Sequence, residues 1–299
     1  MNNSLKFDEF NKAVTESIKC YLPMSFADAD VSLNVVNKNN GLVLTGLIVR
    51  KIDSVVTPTI YLNSFYEQYQ DGMELEDVLQ KIAELRVDHE FTDEFDVEFV
   101  KEFDRCKERI VPRLVNAESN ASLLAERPHT EVLDLAVTYH ILLDEEGSMS
   151  IPISNSLFES WGITVEELHN IAVSNMPTIC PSLFRGMNAV ISEMMGMSAE
   201  EIGMPEEDKM YVLTNKNKSF GAAALLDKET MKSITGRFGT VFVLMSSVHE
   251  TLIVIPDDNM DVSDLRAMVH EVNETQVSVE ERLSENVYIF SADEGLRIA

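Results

Sequence analysis

The sequence predicts an α+β protein, with a small antiparallel β-meander and helices N-terminally and a larger mixed or antiparallel sheet with helices C-terminally. Three observations predict it. Apolar residues recur alternately at a spacing of two and of three to four, so strands and amphipathic helices interleave along the chain. Asn39-Asn40-Gly41 separates two β-branched runs, and Asn-Gly tolerates the positive φ angles of a tight hairpin. The last third reads β-β-α-β-β-α-β, an order in which neighbouring strands pair and helices cover one face.

The N-terminal unit, 1–108, opens with a helix over residues 5–21, where Phe7, Phe10, Val14, Ile18 and Tyr21 form one stripe. Strands follow at 31–36 and 42–50. A third strand at 55–61 contains Pro58, which cannot donate to a ladder and so belongs at a sheet edge. Helices are predicted at 63–71, ending at Asp71-Gly72, and at 74–87, with Leu75, Val78, Leu79, Ile82 and Leu85 on one face. An acidic helix at 93–107 would bury Phe95, Phe99, Phe103 and Cys106.

The C-terminal unit, 109–299, starts with a strand at 110–115 and a polar loop at 116–131. The longest strand, 132–143, presents Leu133, Leu135, Val137, Tyr139 and Ile141 on one face, and its second face reads as half solvated. A turn at 144–147 leads to a short strand at 149–153. Thr164 with Glu167 is a capping box that opens a helix to about residue 174. A helix at 182–195 follows, then a linker-like stretch at 196–208 with one helical turn. Strands are expected at 210–214 and 221–226 as a pair, at 240–246 and 251–256 as a hairpin, and at 287–290. Asp227 and Asp261 are the N-caps of two helices between them.

Charge narrows the classes of function. With 51 acidic and 24 basic residues among 299, the formal net charge is −27. Phosphate binding needs a basic surface, so nucleic acid is disfavoured as a direct ligand, and an anionic membrane equally so. Residues 51–100 hold 13 acids against 3 bases. The run Asp88, Glu90, Asp93, Glu94, Asp96, Glu98, Glu102 and Asp104 is where mimicry of a DNA backbone would sit. The bland reading is a solvated helix face. Cys20, Cys106 and Cys180 are odd in number and far apart, which argues against a disulfide framework and for a reducing cytosol. The N-terminus lacks a signal-peptide core and no apolar run reaches a membrane span.

Catalytic motifs are absent: no phosphate loop of the GxxxxGK type, no GxGxxG, no GxSxG and no HExxH. No cofactor and no metal site is expected. Glu166 and His169 share a helix face, yet one such pair on a short helix reads as a capping box with an exposed histidine. Loops carried by a sheet often hold sites. The candidates for an unrecognised enzyme are therefore Asn116, Asn120 and His129 in the polar loop, and Asp134 and His140 on the long strand. Arg127 and His129 flank the stiffening Pro128. Six residues of strand hold Asp134 and His140 about 20 Å apart, too far for a direct dyad. Methionines at 187, 194, 195, 197, 204 and 210 read first as flexible core packing and second as a groove for a partner helix. Trp161 is expected to pack the start of the 164–174 helix, and Cys180 is inert.

The stretches Tyr21-Leu22-Pro23, Leu44-Thr45-Gly46-Leu47, Pro58-Thr59-Ile60-Tyr61-Leu62, Arg113-Leu114-Val115-Asn116, Leu133-Asp134-Leu135-Ala136-Val137, Trp161-Gly162-Ile163, and Tyr211-Val212-Leu213-Thr214-Asn215 with Phe220-Gly221-Ala222-Ala223 carry a resemblance. Through them the chain resembles a family of unknown function from gut-dwelling Gram-positive anaerobic bacteria. The resemblance spans nearly the whole chain and implies a bacterial intracellular protein. It transfers no activity and no site residues. The leading expectation is a cytosolic, non-catalytic interaction protein that meets a basic protein. An enzyme around residues 116–140 and an acidic DNA mimic are the alternatives.

Overall fold

The computed structural model describes residues 5–52, 54, 57–90, 97–144, 147, 149–257 and 260–299. The chain forms two compact units, Met1–Lys38 with Leu42–Val97, and Asn39–Gly41 with Glu98–Ala299. Both are α+β, and every strand pair in them is antiparallel.

In the first unit, helix α1 (Phe7–Ser17) continues as a 3-10 turn through Cys20. Strands β1 (Asp30–Asn37), β2 (Val43–Arg50) and β3 (Thr59–Tyr61) make a meander in that order. Asn40 and Gly41 hold φ of 57° and 69°, the left-handed pair that the Asn-Gly signal predicts. Strand β3 is an edge, and it begins only after Pro58; Val55 and Val56 lie outside the described residues. Helices α2 (Asn63–Gln70) and α3 (Leu75–Asp88) follow. Phe10, Val14 and Ile18 of the first helix, Leu47 and Val49 of β2, and Val78, Leu79 and Ile82 of α3 form the core. Arg86 is also buried there, its Nε donating to the Val49 carbonyl at 3.0 Å with its guanidinium over the Phe26 ring.

The acidic helix predicted at 93–107 is not continuous. Residues 91–96 lie outside the described residues, and beyond them come a 3-10 turn at Val97–Lys101, helix α4 (Phe103–Cys106) and a second 3-10 turn at Lys107–Arg109. Glu102 between them is extended. Tertiary contacts override the helical period here: the Trp161 indole donates to the Val100 carbonyl at 3.1 Å, and Phe103 packs on the Trp161 ring. These contacts place residues 98–108 in the second unit.

That unit contains two sheets among the described residues. Strands β4 (Ile110–Asn116), β5 (His129–Val132), β6 (Leu135–Leu142) and β7 (Ser150–Pro152) form the first, with β6 central. A helical turn α5 (Ala121–Leu124) lies between β4 and β5. Helices α6 (Asn155–Trp161) and α7 (Val165–Ile179) follow. Then come strand β8 (Ser182–Gly186), helix α8 (Met187–Met195), helical turn α9 (Ala199–Ile202) and strand β9 (Met210–Asn215). After a 3-10 segment at Gly221–Leu226 come α10 (Lys228–Phe238), β10 (Val241–Leu244), β11 (Thr251–Val254), α11 (Val262–Thr275), β12 (Val287–Ser291) and β13 (Gly295–Ile298). The second sheet runs β13-β12-β10-β11-β9-β8. Thr164, Asp227 and Asp261 cap their helices as the sequence predicts.

Several expectations are corrected. Residues 116–131 are not one loop and 132–143 not one strand: the chain reverses at Leu133-Asp134 to make the β5–β6 hairpin, with Val132 opposite Leu135. Neither turn residue is a glycine or asparagine, so the usual signal is missing, and Leu133 adopts φ 58°. Residues 182–186 are a strand rather than helix; they pair with β9, and α8 starts only after the extended Gly186. Residues 221–226 form a 3-10 segment, because the Ala-rich run lacks the branched side chains that favour a strand, and β9 pairs with β8 and β11 instead. Helix α7 runs past residue 174 to 179 with Pro177 inside it. Its Asn175 side chain donates to the carbonyls of Lys107 and Ile110, both at 2.8 Å. The stretch 196–208, by contrast, holds the one helical turn expected there, α9, capped by Ser198, and stays within the second unit.

Leu133 offers a direct test. Left-handed backbone costs a branched L residue roughly 1–2 kcal/mol, and asparagine tolerates it better. The side chain is 49% exposed and contributes little packing. Leu133→Asn is expected to stabilise the protein by about 1 kcal/mol, read from the urea midpoint at constant m-value.

Candidate functional site

The five candidate residues fall into three environments. Asn116 ends β4, where its amide donates to the Leu283 carbonyl at 3.2 Å and its Oδ1 accepts from Ser119 N at 2.9 Å. Asn120 is buried. Its amide donates to the Asn116 carbonyl and to Asn40 Oδ1, and its Oδ1 accepts from Asn40 N, all within 3.0 Å. Both asparagines are thus engaged in holding backbone.

Asp134 sits in the hairpin turn and not on the strand. Its Oδ2 accepts from the Ser284 hydroxyl at 3.0 Å and the Asn286 amide at 2.9 Å, and its Oδ1 accepts from the Tyr288 hydroxyl at 2.6 Å. Burial and the neighbouring carboxylate push the Tyr288 hydroxyl far above its ordinary pKa, so it remains a donor. This network ties the first sheet's hairpin to β12 of the second sheet.

His129 and His140 share a different neighbourhood with a residue that the sequence reading did not single out. Thr138 of β6 lies between Arg113 of β4 on one side and His129 of β5 on the other. Directly opposed residues point to the same face, and so does His140 two positions along β6. That face was expected to be half solvated. It is buried instead: Thr138, Arg113 and His140 are each at most 9% exposed. The Thr138 hydroxyl donates to the Arg113 carbonyl at 3.4 Å, and His129 Nδ1 lies 2.9 Å from the Arg127 carbonyl. His140 Nδ1 has no hydrogen-bond partner among the described residues. Burial first, then Arg113 and Arg127, hold the imidazole well below its ordinary pKa, and it is neutral at pH 7. The structure therefore brings His129 and His140 together with Arg113 and keeps Asn116, Asn120 and Asp134 in other contacts. A buried arginine on a central sheet has no local motif, which is why the sequence alone did not mark it.

The Glu166–His169 pair is not a ligand set. His169 Nδ1 is 3.1 Å from the Tyr139 hydroxyl, itself 2.6 Å from Thr130 Oγ1, and Glu166 is exposed. Among the described residues no group of three or more His, Cys, Asp or Glu is arranged to hold a metal ion. Cys180 is buried, and loss of solvent raises its thiol to about 11 despite nearby Arg113, which leaves it protonated.

The methionines are where the structure departs furthest from the core-packing expectation. Helix α8 has no buried residue. Met194, Met195 and Met197 are 81%, 56% and 43% exposed. Helix α8 and strands β8, β9 and β11 enclose an open groove of about 400 Å³, lined by Leu183, Met187, Val190, Met194, Val212 and Leu252. At its rim Arg185 pairs with Glu193 at 2.5 Å, and Lys218 lies 3.8 Å from the same carboxylate. Acidic side chains of the 88–104 run are locally neutralised: Glu98 pairs with Lys101, Glu102 with Arg105, Asp104 with Lys107, and Glu90 with Lys51. Asp93, Glu94 and Asp96 lie outside the described residues.

An antiparallel α+β scaffold carrying an open apolar groove in its second unit defines this chain at the level of class. It belongs to a family of unknown function (DUF5688), whose model matches residues 7–292. No curated protein and no solved structure matches it. Among the described residues no helix is long and apolar enough to cross a membrane.

His140 predicts a pH dependence. The unfolded chain takes up a proton at this residue near pH 6.5, while the folded chain does so only well below that. Below pH 6.5 the unfolded state therefore binds more protons, and stability falls as pH falls. The expected slope approaches about 1.4 kcal/mol per pH unit. Urea unfolding at pH 7.5, 6.5 and 5.5 should show this loss in the natural protein and a flatter profile in His140→Gln. The residual slope is a balance between His169, which burial shifts in the same direction, and Glu250, whose carboxyl burial raises and which therefore opposes the loss.

Proposed function

We propose that this chain is a non-catalytic binding protein that takes a basic, amphipathic helical segment of a partner protein into the methionine-lined groove. The observation that carries the reading is the exposure of the Met194 face of α8 over an open apolar groove. Methionine is flexible and polarisable and adapts to differently shaped apolar side chains, which suits a groove for a helix. Exposed apolar surface of this kind, rimmed by polar groups, marks interaction sites on soluble proteins.

Charge supports the choice of occupant. Between Arg185 and Lys209 the chain has no lysine or arginine, while Glu193, Glu200, Glu201, Glu206, Glu207 and Asp208 all fall there. Glu200, Glu206 and Glu207 are exposed. The groove itself is lined by Glu193 and Glu250 together with Arg185 and Lys218, so the preference for a helix that is apolar on one face and lysine-rich on the other rests on the acidic stretch that follows α8 in sequence and on the net charge. The net charge of −27 repels a second copy and attracts a cationic partner over distances of about a Debye length. The enzyme and DNA-mimic alternatives have no comparable support. The side chains of Asn116, Asn120 and Asp134 are occupied with internal hydrogen bonds, and Glu90, Glu98, Glu102 and Asp104 of the 88–104 run have cations beside them.

The reading is tested with a designed 18-residue helix carrying leucines on one face and lysines on the other. Calorimetric titration at 50 mM salt should show one saturable site, weakening at least tenfold at 0.5 M salt. Met187→Ser with Met194→Ser should weaken binding about tenfold with unchanged thermal unfolding. Equal binding of a glutamate-for-lysine version of the peptide, or no effect of the double substitution, would overturn the proposal.

A further inference from the structure

A second cavity in the same unit has the opposite chemistry. It lies against β4 and is covered by the segment that follows β9; its wall includes Arg113, Cys180, Asn217, Ser219 and Phe220. Arg113 is 9% exposed. Its guanidinium stacks on the Phe220 ring with 3.5 Å to the centroid. No carboxylate among the described residues forms an ion pair with it, in a protein with 51 acidic side chains.

A buried cation without an anion is costly, and an aromatic face replaces only part of the lost hydration. The neighbouring groups do not supply the missing charge. The Cys180 thiol is protonated and His140 is neutral, while Arg127 adds a second positive charge near His140. Burial lowers the Arg113 guanidinium to about 10, so it stays charged at neutral pH. Among the described residues, what remains is a positive cavity whose wall also includes Asn217 and Ser219.

The covering segment is built to hold this shape. Lys218 and Phe220 both adopt left-handed backbone, with φ of 53° and 51°. Such strain persists only where the surroundings over-determine it. Asn215 supplies that restraint: its amide donates to the Ser219 carbonyl at 2.8 Å, and its Oδ1 accepts from Ser219 N. At Gly221 a Cβ would lie 2.5 Å from the His249 carbonyl oxygen and 2.7 Å from Asn215 N, so only glycine lets the backbone pass. The free interior has room for about 20 Å³ of water-sized occupancy, on the order of one or two waters. A planar two-oxygen group matches the guanidinium fork and is smaller than a phosphate.

We infer that the Arg113 cavity is a binding site for a carboxylate group, held by the guanidinium with Asn217 and Ser219 beside it. The carboxylate belongs to a small free acid or to the C-terminus of a peptide. Gly147 is on the cavity wall; Glu145 and Glu146 precede it in the sequence and lie outside the described residues.

The test uses the full chain at pH 7.5 and fixed ionic strength. Acetate in place of chloride should raise the melting temperature saturably, by about 3 °C once the site is filled tenfold above its Kd. Acetyl-glycyl-glycine run beside its amide and beside acetate separates the two sources: saturation at a lower concentration by the peptide acid than by acetate, with no response to the amide, assigns a chain terminus, and equal saturation by the two acids assigns a small free acid. Arg113→Met should abolish the response, and the double variant Glu145→Gln, Glu146→Gln should keep it. Should Arg113→Met fail to fold, the Arg113 Nε–Hε resonance of the natural protein gives the same reading, because it should shift on acetate addition. An unmoved resonance, a response that survives in Arg113→Met, or a response that only the glutamine double variant shows would each overturn the assignment.

Discussion

Strand β6 is the constraint on which the second unit depends. It is paired on both sides, and all eight of its residues are buried. A central strand with both faces covered is normally apolar throughout. Here Thr138 and His140 sit on one of those faces, with Arg113 on the adjacent strand. Each must then be satisfied or neutralised without water. Thr138 uses a backbone carbonyl, His140 gives up its charge, and Arg113 lies against Phe220 at the edge of a cavity. The electrostatics of the unit's interior follow from these three placements.

The hairpin that delivers β6 is held by a carboxylate rather than by turn chemistry. Leu133 is in a conformation that leucine disfavours, and Asp134 gathers three donors from residues 284–288. Local strain at the turn is thus offset by contacts with a segment 150 residues away in sequence. The same segment leads into β12, so one side chain positions the two antiparallel sheets of the unit against each other.

Two surfaces with contrasting chemistry result. One is wide, apolar and open, with acidic residues in the sequence around it; the other is narrow, cationic and enclosed. Charge at the surface is largely local, with pairs such as Glu98–Lys101 and Asp104–Lys107 three residues apart. Exposed pairs of that kind contribute little to stability. Their effect is to blunt one acidic run while the stretch from Glu193 to Asp208 has no base within it.

The sequence by itself determined the α+β class, the Asn-Gly hairpin, the edge position of the strand after Pro58 and the helix caps at Thr164, Asp227 and Asp261. All of these depend on one residue's backbone preference or on a short apolar period, which neighbours in the chain express. Only the tertiary structure decided where strands reverse without glycine, as at Leu133, and where an apolar run becomes a strand rather than a helix, as at residues 182–186. It also decided which methionines face water. Met187 and Met194 have the spacing of a buried stripe, yet no second layer covers α8, and periodicity cannot report a missing neighbour. Of the candidate site, His129 and His140 were legible as polar residues in a sheet region. Arg113 was not, because a cation's burial and its lack of a carboxylate partner are properties of packing between distant strands and loops.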